Sequence, residues 1–296
     1  MRYLSSFRLV SEQAETEFFC SFPPQLEMLC YTRENAYPFK IFPTKYLEML
    51  KFEPITVFYG GNGSGKSTLL NIIAEKLGIS RTSPFNETPL TADYVSMCDY
   101  SLEKEIPAES RMISSDDVFD FLLDVRAINK GVEKRRQELF SEYEKYNDKK
   151  ASPFTMKSLA DYDELKVRNE ARRKSKSAYV TPRLNVREVH GRSNGESAFA
   201  YFTDHIKENA LYLLDEPENS LSPKLQLELA LFLSDSARFF GCQFIIATHS
   251  PFLLSMQGAQ IYDLDTAPVS VKKWTELRNV RTYFNFFESH RKDVEP

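Results

Sequence analysis

Four of the ten glycines in this 296-residue chain fall within six positions, and a lysine and a serine follow them directly. The segment lies between an apolar run, Ile55 to Tyr59, and a stretch that begins a helix near Ser67. Glycines allow the sharp turn that brings backbone N–H groups together, and a helix N-terminus adds partial positive charge. The segment therefore predicts a strand–loop–helix unit that cradles phosphate groups.

Each residue type in this phosphate-binding loop, or P-loop, has a chemical purpose. The Lys66 ammonium can reach the β- and γ-phosphates of a nucleoside triphosphate, and the Ser67 hydroxyl can ligate Mg²⁺. We therefore expect a nucleoside triphosphate and Mg²⁺ as ligands. The residues expected to bind them are Gly60, Asn62, Gly63, Ser64, Gly65, Lys66, Ser67 and Thr68.

Composition is that of an ordinary globular protein, with 42% hydrophobic and 27% charged residues and a net charge of −4. No apolar run approaches the ~20 residues that span a bilayer, and the first residues lack a signal-peptide core. The four cysteines and four histidines are scattered without metal-ligand spacing, which argues against a zinc site. We expect a cytoplasmic chain with no membrane partner.

Strands alternate with helices before and after a helical middle section. Alternation of this kind predicts an α/β fold with a mostly parallel sheet flanked by helices, preceded by an N-terminal antiparallel β-layer. The predicted strands are Phe7–Val10, Phe18–Phe22, Ile55–Tyr59, Tyr94–Cys98, Ala210–Leu214, Gln243–Ala247 and Gln260–Leu264. Helices are predicted from Ser67 to Leu77, after Glu196, from Pro223 and from Pro251.

The middle section predicts an inserted helical hairpin. Apolar residues recur at helical spacing from Ser115 to Asn147, and a second, polar helix is expected from Leu159 to Ser175. The predicted organisation is therefore 1–114, an inserted subdomain 115–180, and 181–296, within one domain overall. Residues 126–187 hold 17 Lys and Arg against 9 Asp and Glu, densest over 166–176. This basic run indicates either a solvated helix face or a contact surface for nucleic acid or an acidic partner.

Two carboxylates end the strand Ala210–Leu214, where a parallel sheet presents its nucleotide edge. Asp215 is expected to hold Mg²⁺, the Walker B role, and Glu216 to act as general base toward water. His249, at the end of the next strand, can reach a γ-phosphate oxygen or the attacking water. Ser193 and Gly195, before a helix, make a weaker anion cradle that a capped turn would also explain.

Five motifs in register resemble those of ABC and structural-maintenance-of-chromosomes ATPase heads. They are the P-loop, a signature Ser193–Glu196, the Walker B Asp215-Glu216-Pro217, a D-loop Ser220–Pro223, and a switch histidine in Thr248-His249-Ser250. More narrowly, Glu216–Pro223 and Thr248–Leu253 are similar to bacterial ATPases of the AAA-21 kind. That group is related to overcoming-lysogenization-defect and Septu-type anti-phage ATPases.

The resemblance implies ATP as the nucleotide and a homodimer, or a higher oligomer, that forms on ATP. Ser193 and Gly195 of one protomer would contact the γ-phosphate held by the other, and hydrolysis through Glu216, with His249 and Lys66, would release the dimer. The output would lie in a separate effector protein or in nucleic-acid engagement, in a setting such as phage defence. Two alternatives stay open: the nucleotide-binding subunit of an ABC transporter, and a nucleotide-gated scaffold with negligible turnover.

Three features depart from the family pattern. Asn194 stands where the signature usually has glycine. The Q-loop glutamine is missing, and Asp99 or Glu109 is the expected substitute. No adenine-stacking aromatic is evident, although Tyr37 and Phe39 are candidates.

Overall fold

The computed structural model describes residues 1–20, 36–147, 162–184 and 193–294. Contacts divide the chain into two units, one formed by Met1–Phe119 with Asn194–Pro296 and the other by Asp120–Ser193. The strands are β1 (Leu4–Arg8), β2 (Met49–Lys51), β3 (Ile55–Tyr59), β4 (Asp99–Leu102), β5 (Arg111–Ser114), β6 (Leu211–Asp215), β7 (Gln243–Thr248), β8 (Gln260–Asp263) and β9 (Ser270–Lys272). The helices are α1 (Glu12–Phe19), α2 (Lys66–Leu77), α3 (Pro89–Met97), α4 (Ser115–Asn147), α5 (Tyr162–Arg173), α6 (Lys176–Val180), α7 (Asn194–His205), α8 (Pro223–Phe239), α9 (Pro251–Leu254), α10 (Arg278–Ser289) and α11 (Arg291–Val294).

A six-stranded sheet of order β5-β6-β7-β3-β8-β9 forms the centre of the larger unit. Every neighbouring pair is parallel except β8 and β9. Strands β3 and β7 are buried along their whole length, as expected for strands covered on both faces. Helix α2 packs against β6 and β7, and α8 packs against β7. The predicted α/β fold with a mostly parallel sheet is confirmed.

The register of the parallel strands brings their carboxyl ends to one edge. Tyr59 pairs with Thr248, and Asp215 pairs with both Ala247 and Ser114. The P-loop, the Walker B pair and the His249 loop leave the sheet at these ends. The fold therefore gathers the P-loop, the Walker B pair and His249 at a single edge of the sheet.

The antiparallel β-layer ahead of the P-loop is also confirmed, as a three-stranded sheet of order β2-β1-β4. The buried Gln243 side chain ties the start of β1 to β7, because its Oε1 accepts hydrogen bonds from Tyr3 N at 2.7 Å and Leu4 N at 2.9 Å. The two sheets consequently share one continuous apolar core.

Two predicted strands are helices. Phe18 and Phe19 belong to α1, and Tyr94 to Met97 belong to α3; Phe22 lies outside the described residues. The reason is helix capping. Ser11 accepts a hydrogen bond from Ala14 N at the start of α1, and Thr88 followed by a proline starts α3.

The predicted long helix from Ser115 to Asn147 is confirmed as α4, and α5 covers Tyr162–Arg173 of the second predicted helix. In the smaller unit Leu139, Ala171, Tyr179 and Val180 form a buried cluster. Several cations of the basic run are paired within this unit, through Arg168–Glu164 at 2.7 Å, Lys176–Glu144 at 2.8 Å and Lys174–Glu170 at 3.9 Å. Much of the charge of the run is therefore balanced locally.

Among the helices of the described ranges, none is both long and apolar enough to cross a membrane.

Candidate functional site

The loop between β3 and α2 has the backbone that the glycine pattern predicts. Gly63 and Gly65 have φ values of +78° and +93°, where a side chain would be strained. A Cβ built on Gly60 would lie 2.4 Å from Ser64 Oγ, which is too close for any real contact. Ser64 Oγ is itself buried and has no hydrogen-bond partner among the described residues. The loop thus combines tight backbone packing with a polar atom available to a ligand.

Lys66 is 5% exposed, and its ammonium folds back over the loop. Its Nζ donates to the carbonyl oxygens of Gly60 at 2.8 Å and Gly61 at 3.1 Å. The same atom lies 3.8 Å from Glu216 Oε1. A buried positive charge therefore stands at the mouth of the loop, facing a Walker B carboxylate.

Asp215 meets the first turn of α2. Its Oδ1 accepts a hydrogen bond of 3.0 Å from the Ser67 hydroxyl. Burial, with a smaller contribution from the neighbouring Glu216 charge, raises the pKa of Asp215 to about 6, although the Ser67 hydrogen bond acts in the opposite direction. The pair presents hard oxygen atoms of the kind that Mg²⁺ prefers.

Glu216 stands at the centre of the predicted catalytic residues. Its φ is +48°, an uncommon conformation for a residue with a side chain, and its N–H donates to Ala247 O at 2.9 Å. Its Oε1 lies 3.8 Å from Lys66 Nζ and 3.9 Å from His249 Nδ1. The three residues expected to be catalytic therefore lie around one carboxylate oxygen.

Two residues that sequence reasoning missed brace the P-loop. Asp265, just after β8, accepts the Gly61 N–H at 2.9 Å, and Lys45 donates to Ser64 O at 2.7 Å. Burial lowers the pKa of Lys45, while nearby aspartates act in the opposite direction. Asp265 follows a predicted strand at its carboxyl end, and this position could have identified it as a site residue. Nothing near Lys45 in the sequence pointed to it.

The signature segment packs against the D-loop of the same chain. The three atoms nearest to a Cβ built on Gly195 are Leu225 Cδ1 at 2.8 Å, Ser220 O at 3.4 Å and Ser222 N at 4.0 Å. Ser220 itself has φ +69°. Gly195 therefore lies beside the D-loop of its own chain.

The expected Q-loop substitutes were wrong. Asp99 pairs with Arg8 in the three-stranded sheet. Glu109 precedes β5, at its amino end, whereas the nucleotide edge is formed by the carboxyl ends of the strands. The structure instead places Ser114, the last residue of β5, opposite Asp215.

The two adenine candidates differ in the structure. Phe39 is 3% exposed and stacks on Phe18 at 4.9 Å, so its ring is closed to a base. Tyr37 donates from its hydroxyl to Thr68 Oγ1 at 3.2 Å and is partly exposed. Tyr37 therefore stays a candidate for contact with the base, and its hydroxyl bonds to the P-loop helix.

A protein-family model matches residues 100–255, more than half of the chain. Its description is "AAA domain, putative AbiEii toxin, Type IV TA system". The matched range contains the signature, the Walker B pair and His249, and the P-loop precedes it. No curated protein matches the chain.

Among solved structures, the chain is similar to one described as "An inward-facing conformation of a putative metal-chelate type ABC transporter", at 19% identity over 80% of this chain and 79% of that chain, with a TM-score of 0.38. It is also similar to the SMC head domain from Thermotoga maritima, at 14% identity over 76% and 92%, with a TM-score of 0.36. A third is cbiO1 from Clostridium perfringens, part of the ABC transporter complex cbiONQ, at 18% identity over 84% and 88%, with a TM-score of 0.36.

Proposed function

The chain belongs to this AAA domain family, as its motifs predicted, and from that membership we propose that it is an ATPase that binds and hydrolyses ATP with Mg²⁺. The observation that carries the proposal is the grouping around Glu216. One of its oxygens faces Lys66 at 3.8 Å and His249 at 3.9 Å, while the adjacent Asp215 accepts the Ser67 hydroxyl. Sequence positions from 66 to 249 thus converge on one edge of the sheet.

The P-loop would hold the phosphates of ATP. Its residues are Gly60, Asn62, Gly63, Ser64, Gly65, Lys66, Ser67 and Thr68, and the partnerless Ser64 hydroxyl fits a phosphate acceptor. Lys66, now bonded to loop carbonyls, would move its ammonium to the β- and γ-phosphates. The Lys66 movement would replace bonds within the loop by charge-assisted bonds to the ligand, and the Ser64 hydroxyl would gain a partner.

Ser67 and Asp215 would hold Mg²⁺. The described residues include no group of three or more His, Cys, Asp or Glu side chains that could bind a metal alone. Two protein oxygens are nevertheless enough, because Mg²⁺ commonly keeps several waters and takes further ligands from substrate phosphates. The ion would supply charge neutralisation on the β- and γ-phosphates.

Glu216 would take a proton from the attacking water. The water oxygen bonds to the γ-phosphorus, the bond to the bridging oxygen breaks, and ADP leaves with that electron pair. His249 would donate to a γ-phosphate oxygen or orient the water. General base catalysis of this kind contributes about 10²- to 10⁴-fold in rate.

We further propose that ATP joins two chains head to head. Gly195 lies beside the D-loop in its own chain, which supports a role for Ser193 and Gly195 as an anion cradle for a phosphate held by a partner chain. Release of phosphate would then separate the two heads. The presence or absence of one phosphate group would thus decide whether the interface between the two heads forms.

A separate effector protein would respond to the formation and release of the dimer. The biological setting that we propose is phage defence. Helix α10 supports a protein partner, because its side chains Tyr283, Phe284, Phe286 and Phe287 are 49–58% exposed. The helix also touches the switch loop, since Asn279 Nδ2 donates to His249 O at 2.5 Å. Nucleic acid is a weaker proposal, because several cations of the run 166–176 are paired within their own unit.

The solution mass of the Glu216→Gln variant, with and without Mg-ATP, tests the dimer. Removing the base should trap the ATP-bound form, so light scattering should record a doubling of mass on ATP addition. The control is Glu208→Gln, a change at an exposed carboxylate outside the site, which should behave as wild type. If the solution mass does not change on ATP addition in any variant, head-to-head dimerisation would be refuted.

Phosphate release tests the enzyme itself. Turnover that falls about 10²- to 10⁴-fold in Glu216→Gln, with ATP binding retained, supports hydrolysis through Glu216. ATP binding without any turnover in wild type would instead support the nucleotide-gated scaffold.

A further inference from the structure

A buried carboxylate outside the predicted site lies directly behind the His249 loop. Glu218, two residues after Glu216, is only 5% exposed. Its Oε1 accepts hydrogen bonds from the Thr248 hydroxyl at 2.6 Å and from His249 N–H at 3.0 Å. The same oxygen lies 3.4 Å from His249 Nδ1. One oxygen of Glu218 therefore lies within 3.4 Å of three polar groups of the His249 loop.

The second oxygen, Glu218 Oε2, is buried and accepts no hydrogen bond from any residue that the structure describes. Burying a carboxylate costs free energy unless hydrogen bonds and opposite charge compensate for it. A neutral side chain of similar size could accept the same two hydrogen bonds at lower cost. The negative charge at this position is therefore better explained by its effect on His249 than by packing.

The His249 ring nitrogen Nδ1 lies between two carboxylates, with Glu218 Oε1 at 3.4 Å and Glu216 Oε1 at 3.9 Å. An ionised carboxylate accepts hydrogen bonds and donates none, so a proton on Nδ1 is favoured there. The other face of the loop is held by Asn279, which donates to His249 O at 2.5 Å. These contacts constrain both the loop backbone and the Nδ1 side of the His249 ring. Nε2 is therefore the ring nitrogen that can contact a ligand.

We propose that Glu218 is a positioning residue for the ATPase reaction. It holds His249 as the tautomer protonated on Nδ1, and it sets the ring orientation in which the unprotonated Nε2 accepts a hydrogen bond from the attacking water. The inference rests on the proposed function, because only that function gives His249 a reaction to serve. Histidines bound to metals in proteins are oriented by carboxylates in the same way.

Nitrogen NMR of the histidine rings tests the tautomer without any need for turnover. At about pH 8, where an ordinary imidazole is neutral, the His249 signals, assigned by their loss in His249→Ala, should be those of the Nδ1–H form. They should shift toward the Nε2–H form in Glu218→Gln, which keeps an acceptor oxygen for Thr248 and the His249 N–H. The control Thr248→Val removes a hydrogen bond to the same oxygen and should leave the tautomer unchanged.

An Nε2–H form in wild type, or an unchanged tautomer in Glu218→Gln, would overturn the proposal. If Glu218→Gln does not fold, the wild-type spectrum alone still distinguishes the two tautomers.

A double-mutant cycle tests the consequence for rate. Glu218→Gln should lower kcat about 10-fold and leave the KM for ATP within about threefold. The same substitution should have no further effect on kcat in a His249→Ala background, because the two residues act as a unit. Additive losses would contradict positioning through His249. A wild type without turnover would refute the proposed function, whereas the NMR result would still decide the role of Glu218.

Discussion

The Ser67 hydroxyl donates a hydrogen bond to Asp215 Oδ1 across 3.0 Å, although 148 positions separate the two residues in sequence. Ser67 lies on α2, which follows β3, and Asp215 ends β6; these two strands are not neighbours, since β7 lies between them. The contact therefore depends on the register of two strand pairs, β3 with β7 and β7 with β6. It joins the P-loop helix to the Walker B strand at the place proposed for Mg²⁺.

Asp215→Asn should weaken ATP binding about 10- to 100-fold in the presence of Mg²⁺, because a neutral amide is a poorer ligand for a divalent cation. The amide oxygen can still accept the Ser67 hydrogen bond, so the fold should persist. Titration with a fluorescent ATP analogue in Mg²⁺ and in EDTA measures the effect. In EDTA the variant should bind as wild type does, and Asp235→Asn, at an exposed site on α8, is the control. An equal loss in EDTA would contradict the magnesium role.

Lys66→Ala should weaken ATP binding by about 10- to 150-fold, which corresponds to the 1.5–3 kcal/mol of a hydrogen bond to a charged group. Lys76→Ala is the matched control, because Lys76 lies at the far end of the same helix and donates only to Ser96 O among the bonds described. Calorimetric titration of both variants with Mg-ATP provides the comparison. If Lys66→Ala and Lys76→Ala bind Mg-ATP with equal affinity, Lys66 does not contact the nucleotide.

Gly60→Ala and Gly61→Ala should differ although they are adjacent. A Cβ on Gly60 would lie 2.4 Å from Ser64 Oγ, whereas a Cβ on Gly61 would meet only Asp265, at an ordinary 3.8 Å. The first change should distort the P-loop and lower ATP affinity at least about 10-fold, while the second should be tolerated within about threefold. Binding assays and thermal melts of the two variants test this. Matching losses would mean that the loop rearranges around either methyl group.

Glu15→Gln should stabilise the protein at high pH. Burial raises the pKa of Glu15 to about 7, despite the hydrogen bond from Lys40 N–H, which acts in the opposite direction. The folded state therefore holds the proton more tightly than the unfolded state, whose pKa is near the ordinary value of 4.5. Wild-type stability should fall as pH rises between these values, and the loss is complete above about pH 7.

Glu15→Gln carries no charge at position 15, so its free energy of unfolding should exceed that of wild type by up to about 3 kcal/mol at pH 8. The excess should vanish near pH 4.5. Urea denaturation at both pH values measures it, with Glu17→Gln, exposed on the same helix, as the control. A difference that does not change with pH would show that the Glu15 charge is not responsible.

Sequence patterns predicted the central elements well, because local chemistry and burial agree there. β3, α2 and α8 lie where apolar runs, glycines and Pro223 predict them. The predictions failed at Phe18 and Phe19 and at Tyr94–Cys98, where short aromatic runs looked like strands. Capping residues outside those runs started helices instead, and packing of Phe39 between Phe18 and Tyr94 stabilises them.

By itself the sequence determined the α/β class, the P-loop and the identity of Asp215, Glu216 and His249 as site candidates, since each depends on residue types within a few positions. Only the tertiary structure decided that Asp265 and Lys45 brace the P-loop, that Ser114 stands beside Asp215, and that Glu218 lies behind His249. These contacts join segments far apart in the chain. Strand order and register bring them together, and neither can be obtained from the local sequence at any one of these positions.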